Sequence, residues 1–187
     1  MSARGPHTPR AAFGLFDSPV GPLGLAWRGE RVVTLQLPGA TADATRERVL
    51  GACDADEART PSRFATGTIS RILEMLTGSG DDLSDIGLDL REATPFAARV
   101  YAEARHIQPG TLATYGELAR RVGSAGGARA VGGALGKNPI AIIVPCHRVI
   151  SASGALGGFS APGGLGTKTR LLELEGVPGT ELTRRRR

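Results

Sequence analysis

The hydrophobic pattern of the first half predicts a small sheet and two helices. Short apolar runs at 13–17, 23–27 and 32–37 are separated by turn-forming pairs, as in antiparallel strands joined by tight turns. Helical periodicity follows at 41–53 and 61–76. The alternation of Ile86, Leu88 and Leu90 with polar residues and glycine predicts one more strand.

The second half has a pattern of short helices. Thr94-Pro95 combines an N-cap residue with proline at the first helical position, and predicts a helix that ends near 107. Thr114 and Glu117 form a capping-box pair that opens a helix over 115–122. Because a segment of small residues follows at 127–135, the two helices resemble a helix-turn-helix. Alone this signal is weak, since most such helix pairs bind nothing.

An uninterrupted apolar run at 140–144 predicts either a buried strand or a segment that passes through the core. A glycine-rich loop at 151–166 and a last helix at 167–175 follow. We therefore expect an α/β (α+β) fold with two domains. Residues 1–91 form a domain of short antiparallel strands and helices, residues 92–187 a mostly helical one, and the arginine-rich tail 184–187 is disordered.

Charge separates the same two halves. Residues 1–90 contain nine Lys and Arg against twelve Asp and Glu, whereas residues 91–187 contain fourteen against six. A basic second half indicates a polyanionic partner, although the four arginines of the tail supply half of its excess.

Composition bears on the compartment of the protein and on whether it binds a metal. No apolar run is long enough to span a membrane, and no apolar segment follows the first ten residues as in a signal peptide. Two cysteines, Cys53 and Cys146, form no disulfide framework, which favours the cytoplasm. The histidines and cysteines lack metal-ligand spacing, so we expect neither a metal nor another cofactor.

Cys146 is the residue whose surroundings indicate chemistry. A lone cysteine after an apolar run is usually a small buried hydrophobe. However, Pro145 precedes it and His147 and Arg148 follow, and a base or positive charge nearby favours the reactive thiolate. If this segment is extended, adjacent side chains point to opposite sides, so a water is expected to bridge the thiol and the imidazole. From these residues alone, both a structural and a nucleophilic role for Cys146 stay open.

Several blocks of sequence, in order, resemble one family. The sequence Pro145-Cys146-His147-Arg148-Val149 is similar to the active-site signature of the O6-alkylguanine-DNA alkyltransferases, the methylated-DNA–protein-cysteine methyltransferases. Further blocks with the same resemblance are Thr94-Pro95-Phe96, Thr114 to Leu118, Ala128 to Gly132, Asn138-Pro139 and Leu171 to Gly176. The first half resembles the family more loosely, through Asp17-Ser18-Pro19 and Gly21-Pro22-Leu23.

The resemblance implies a role for each matching residue. Cys146 resembles the alkyl acceptor, His147 the base that takes the thiol proton through a water, and Glu175 the carboxylate that orients this histidine. Asn138 resembles the residue that supports the thiolate, and Tyr115 the phenol that rotates a phosphate and donates to N3 of guanine. The remaining positions implied by the resemblance are Arg129, Ala128, Ala130 and Gly132 for DNA contact, and Leu135, Val149, Phe159 and Ser160 for the substrate pocket.

The implied function is single-turnover repair of double-stranded DNA. The family binds the minor groove, flips O6-alkylguanine out of the stack and transfers the alkyl group irreversibly to the cysteine. Arg129 would replace the flipped base, and the small residues around it suit a helix that approaches the groove closely. Arg129 as a phosphate contact and Tyr115 as a core aromatic remain alternatives. We expect a monomer; O4-alkylthymine as a substrate and cooperative binding stay open.

Two features depart from the family pattern. Ala161-Pro162 adds two residues to the loop that would wall the guanine pocket, and Arg170 stands where tryptophan is frequent.

Three rival functions fit the sequence less well than alkyl transfer does. A lesion-sensing relative without transfer would lack Cys146, and a Cys-His-Glu hydrolase would need an oxyanion hole that the sequence does not mark. A helix-turn-helix regulator would carry large polar side chains where this chain has glycine and alanine.

Overall fold

Three strands joined by tight turns begin the fold. They are β1 (Ala11–Phe16), β2 (Leu23–Arg28) and β3 (Arg31–Gln36), paired antiparallel. Gly29 in the two-residue turn between β2 and β3 has φ +58°, which a residue without a side chain adopts freely. All three predicted strands are confirmed in this computed structural model, which describes residues 9–78 and 81–178.

The sheet is mixed, not purely antiparallel. A fourth strand, β4 (Ala55–Glu57), pairs parallel to β1, and the order is β3-β2-β1-β4. The strand predicted at 86–90 is wrong, because this segment makes only a single bridge from Leu88 to Val32. Pairing stops there since the Asp89 carboxylate binds the backbone N–H and the guanidinium of Arg91 and turns the chain away.

Two helices cover the first half. α1 (Ala42–Ala52) and α2 (Arg63–Leu76) confirm the predicted helices, and Thr41 and Ser62 cap their first turns. α1 lies close against the sheet at Gly24, where a Cβ would be 2.4 Å from the Val49 side chain. The absence of a side chain at Gly24 therefore allows the helix to pack on β2.

Helices dominate the second half, as predicted. α3 (Pro95–Ala104), α4 (Tyr115–Arg121) and α5 (Ala128–Gly136) pack together, and α6 (Leu165–Leu174) follows the glycine-rich loop. The cap at Thr94 and the Thr114–Glu117 capping box are both present. The sequence did not reveal β5 (Ala113–Thr114) and β6 (Val149–Ile150), which pair parallel over two residues each.

The apolar run at 140–144 passes through the core and forms no strand. Ile140 bridges to Leu35 of β3, the chain then turns, and Ile142 has φ +70°. All but Ala141 of this run are buried in the largest core cluster, which includes side chains from both halves of the chain.

Some expectations are not tested by the fold. The boundary at 91/92 stays a prediction, and the tail 184–187 lies outside the described residues. Within those residues, no helix is both long and apolar enough to cross a bilayer.

Candidate active site

Cys146 lies in a tightly bonded turn. It opens a 3₁₀ helix, Cys146–Arg148, and its N–H donates to the Val144 carbonyl over 2.8 Å. The segment is therefore not extended, because it curls back on itself after Pro145. The side chain of Cys146 is partly buried against the main core.

Asn138 ties the end of α5 to this turn. Its Nδ2 donates to the Val144 carbonyl over 2.8 Å, and its Oδ1 accepts from the Ile140 N–H over 3.0 Å. Burial raises the pKa of the Cys146 thiol, while the Asn138 amide and the Lys168 charge act against this rise. Because the pKa remains raised, Cys146 carries its proton at neutral pH and needs a base to become a thiolate.

The side chain of Glu175 binds the two residues that follow Cys146. His147 Nε2 lies 2.7 Å from Oε1, and both side chains are fully buried. Arg148 donates to the same carboxylate from Nε (2.9 Å) and Nη2 (2.8 Å), and from Nη1 to the Ile107 carbonyl. Burial alone would raise the pKa of Glu175, but His147 and Arg148 lower it to about 2.

The ionised carboxylate determines which nitrogen of His147 is the base. Burial lowers the pKa of His147, so the imidazole is neutral at pH 7. With Glu175 as an acceptor, Nε2 carries the hydrogen, and Nδ1 keeps its lone pair. Nδ1 is buried and has no hydrogen-bond partner among residues 9–78 and 81–178. It is therefore available to accept a proton.

The backbone approaches Glu175 closely at Gly110. A Cβ at this position would lie 2.9 Å from the Glu175 carbonyl oxygen, and Gly110 has φ +75°. The Gly110 N–H faces the carboxylate, 3.4 Å from Oε2. The lack of a side chain at Gly110 thus lets the chain pass beside Glu175.

The sequence did not mark Lys168 as part of this site. It is completely buried in α6, and its Nζ donates to the carbonyls of Val149 (2.6 Å) and Leu156 (2.5 Å). Burial lowers the pKa of Lys168 to about 8, against the opposing effect of Cys146. Lysine side chains normally extend into water, so the sequence carried no sign of this buried position.

Tyr115 and α5 form the neighbouring surface. The Cβ position of Gly132 is 3.8 Å from the Tyr115 ring, and that of Gly157 is 3.4 Å from it. Burial raises the pKa of Tyr115, with a smaller contribution from Cys146. Arg129 and Ala130 are exposed, and Ala128 and Gly132 are partly so.

The four predicted pocket residues differ in exposure. Val149 and Leu135 are buried in the main core, and Phe159 packs against it. Ser160 is exposed, and its hydroxyl donates to the Gly136 carbonyl at the end of α5. None of the four lines the large groove of about 970 Å³ between the sheet and helices α3 and α5.

Comparison with known proteins identifies the family. Residues 95–177 match the model of the 6-O-methylguanine DNA methyltransferase DNA-binding domain. The methylated-DNA–protein-cysteine methyltransferase of Mycobacterium tuberculosis is 42% identical over 85% of this chain and 88% of its own length. That of Metallosphaera sedula is 35% identical over 88% and 92%. The chain belongs to the O6-methylguanine DNA methyltransferase family.

Solved structures agree with this assignment. The crystal structure of Mycobacterium tuberculosis OGT in complex with DNA has a TM-score of 0.72 and 38% identity, covering 92% of this chain and 99% of that one. The O6-methylguanine-DNA methyltransferase of Pyrococcus kodakaraensis has a TM-score of 0.68 and 28% identity, covering 89% and 99%. The family resemblance drawn from the sequence is thus confirmed, and so is the mixed α/β fold.

The methyltransferase site brings together most of the residues expected from sequence. Asn138 and Tyr115 act on Cys146, and Glu175 binds His147, the next residue in the chain, whereas Arg129 is exposed on α5. In the described part of the chain, no three metal-binding side chains form a cluster.

Proposed function

We propose that Cys146 is the alkyl acceptor of a methylated-DNA–protein-cysteine methyltransferase that reverses O6-alkylguanine damage directly. The observation that carries this proposal is the buried His147–Glu175 pair, whose histidine directly follows Cys146 in the chain. A histidine and carboxylate held next to a cysteine activate it as a nucleophile, which a structural cysteine would not need. Membership of the family supports the same substrate.

The transfer proceeds as a displacement at the alkyl carbon. The thiol proton moves through a water to His147 Nδ1, and the resulting imidazolium is stabilised by Glu175. Sγ of Cys146 then bonds to the alkyl carbon while the bond from carbon to O6 breaks. The electron pair stays with guanine, which takes up a proton, so the reaction balances without a cofactor.

Tyr115 stabilises the leaving guanine. Because burial raises the pKa of its phenol, Tyr115 keeps its hydrogen and can donate to N3. Lys168 adds a positive charge near the sulfur, and Asn138 supports the thiolate with its amide. Val149, Leu135, Phe159 and Ser160 form the wall against which the flipped base lies.

DNA binds along α5. The small side chains of Ala128, Ala130 and Gly132 permit close approach to the minor groove, while Arg129 enters the stack and replaces the flipped nucleotide. The related Mycobacterium tuberculosis protein was solved in complex with DNA, which supports this partner. The chain acts as a monomer on double-stranded DNA in the cytoplasm.

Intact mass spectrometry tests the acceptor. After incubation with an oligonucleotide that contains O6-methylguanine, each molecule should gain one methyl group, about 14 Da, and then stop, because water does not cleave a thioether as it does an acyl-enzyme ester. Cys146→Ala should gain nothing yet retain lesion binding. The matched control is Cys53→Ala, which removes the other cysteine and should react normally.

Three outcomes would contradict the proposal. Repeated turnover by one molecule would indicate a hydrolase. A methyl group on Cys53 would show that Cys146 is not the acceptor. Loss of both transfer and folding in Cys146→Ala would make this cysteine structural.

A further inference from the structure

The carbonyl oxygen of Pro139 accepts from three donors on β3. The Thr34 hydroxyl lies 2.5 Å away, the Leu35 N–H 3.1 Å and the Gln36 side-chain Nε2 3.3 Å. Thr34 is fully buried and Gln36 nearly so. A carbonyl oxygen has two lone pairs, so three converging donors fix its position more strictly than ordinary backbone pairing does.

This cluster continues to the surface of the first half. Gln36 Nε2 also donates to the Thr34 hydroxyl over 2.7 Å, and its Oε1 accepts from Arg48 of α1 over 3.0 Å. The Ala141 N–H donates back to the Leu35 carbonyl over 3.0 Å. A connected chain of hydrogen bonds therefore extends from α1 through β3 to the residue that follows Asn138.

The position of Pro139 determines that of the Asn138 amide. Asn138 is bonded directly to Pro139, and the Asn138 side chain reaches forward to the Val144 carbonyl, two residues before the acceptor. Few torsions lie between the fixed carbonyl and the amide, so a shift of this turn moves the amide relative to the sulfur. A displacement of about 1 Å in a reactive site is enough to change its rate strongly.

We propose that Thr34 and Gln36 are positioning residues for the alkyl transfer, which hold the Asn138–Pro139 turn and with it the Asn138 amide beside Cys146. The inference rests on the proposed role of Cys146 as acceptor. Neither residue touches the substrate. The first half of the chain thereby contributes to the chemistry through a polar contact with the active-site turn, in addition to covering apolar surface.

The test is the pH dependence of the reaction with free O6-benzylguanine, which needs no DNA binding or base flipping. Thr34→Val keeps the shape of the side chain and removes its donor. Because the Asn138 amide lowers the pKa of the Cys146 thiol, its displacement should move the rising limb of the profile to higher pH. We expect a rate at least about threefold lower at pH 7, recovered in part at higher pH.

The other groups that act on the sulfur are unchanged in this variant. They are His147 next to it, Tyr101 of α3, Tyr115 of α4 and Lys168 of α6. Thr34→Ser restores the hydroxyl and should restore the profile. The matched control is Thr45→Val, which removes an equally buried hydroxyl from α1 that, among the residues described, binds Gly39 and Thr41.

The outcomes separate a positioning role from a structural one. The proposal is wrong if Thr34→Val keeps the parental pH profile, as the control Thr45→Val should, even if both variants are less stable. If Thr34→Val does not fold, Gln36→Met is measured by the same criterion, since it removes one of the three donors to the Pro139 carbonyl and keeps the Thr34 hydroxyl. Peptide mapping of the unchanged protein after reaction must find the benzyl group on Cys146; its absence would overturn the proposed function instead.

Discussion

Glu175 joins the reactive histidine to the folded core. Its two oxygens accept from His147 and from Arg148, and Arg148 also binds the Ile107 carbonyl. All three side chains are buried. A buried carboxylate is stable only when it is fully paired, so the same interactions that orient the base also maintain the charge of Glu175.

The first prediction concerns the stability that this carboxylate provides. Its pKa is about 2 in the folded protein and ordinarily 4.5. The folded state therefore gains stability from Glu175 above pH 4.5, and loses it as the pH falls towards 2. The contribution is up to about 3 kcal/mol. In Glu175→Gln, the unfolding free energy measured in urea should depend less on pH across this window.

Glu173→Gln is the control for that experiment. Glu173 lies in the last turn of α6, two residues before Glu175, but its side chain is 42% exposed and 3.9 Å from Arg170. Exposed ion pairs contribute little, so this variant should follow the parental pH dependence. Equal behaviour of the two variants would mean that Glu175 is not an anion held by His147 and Arg148.

At the scale of elements, one face of α5 packs into the core and the other is exposed for contact with DNA. Val131 and Leu135 are buried, while Arg129 is exposed at the start of the helix and Lys137 follows its end. Arg129→Ala should slow repair in duplex DNA by at least about tenfold and leave the reaction with free O6-benzylguanine nearly unchanged. The free base needs no side chain to replace it in a stack.

Lys137→Ala provides the matched control, because it removes an exposed positive charge at the other end of α5. Its effect on duplex repair should be much smaller than that of Arg129→Ala. Single-turnover rates on both substrates measure the difference. An equal loss on duplex and free base in Arg129→Ala would assign Arg129 to the chemistry or the fold.

The longer loop is held at both of its ends. Ser160 donates to the Gly136 carbonyl of α5, and the Pro162 carbonyl accepts from Thr167 of α6 over 2.6 Å. Gly157 lies against the Tyr115 ring. Deletion of Ala161 and Pro162 should therefore change the rate ratio between benzyl and methyl substrates by at least about threefold, roughly 0.7 kcal/mol.

Thr167→Val tests the same loop without changing its length. It should shift the ratio in the same direction as the deletion, since it releases the Pro162 carbonyl. If the deletion leaves the ratio and both rates at parental values, the two extra residues only lengthen the loop.

Elements that are determined by residues close together in the chain could be predicted from the sequence. Thr94-Pro95 and the Thr114–Glu117 box determine helix starts by their own chemistry, and both were predicted. β4 and the β5–β6 pair are two or three residues long, too short for a period to show, and they depend on partners distant in sequence. The pairing of His147 with Glu175 was available only through family resemblance, because 27 residues separate them.

At the scale of the whole molecule, α4 and α5 carry exposed cations that form no ion pair within the described part of the chain. Four arginines of the first half, Arg10, Arg28, Arg46 and Arg71, pair with carboxylates of the same half. On the helix-turn-helix, Arg120, Arg121, Arg129 and Lys137 are all exposed, and none forms an ion pair with another described residue. These unpaired cations, more than the net charge of the whole chain, provide the surface for a polyanion.

The tight bonding of the acceptor turn also has a consequence for amide hydrogen exchange. The N–H groups of Val144, Cys146 and Arg148 are bonded within the turn, and β3 and β5 hold the chain on either side. Mobile binding segments usually exchange early. Here the deuterium uptake of the acceptor segment should be among the slowest in the protein. The adjustments that admit a flipped base then belong to the glycine-rich loop and α5, which close around an acceptor that stays still.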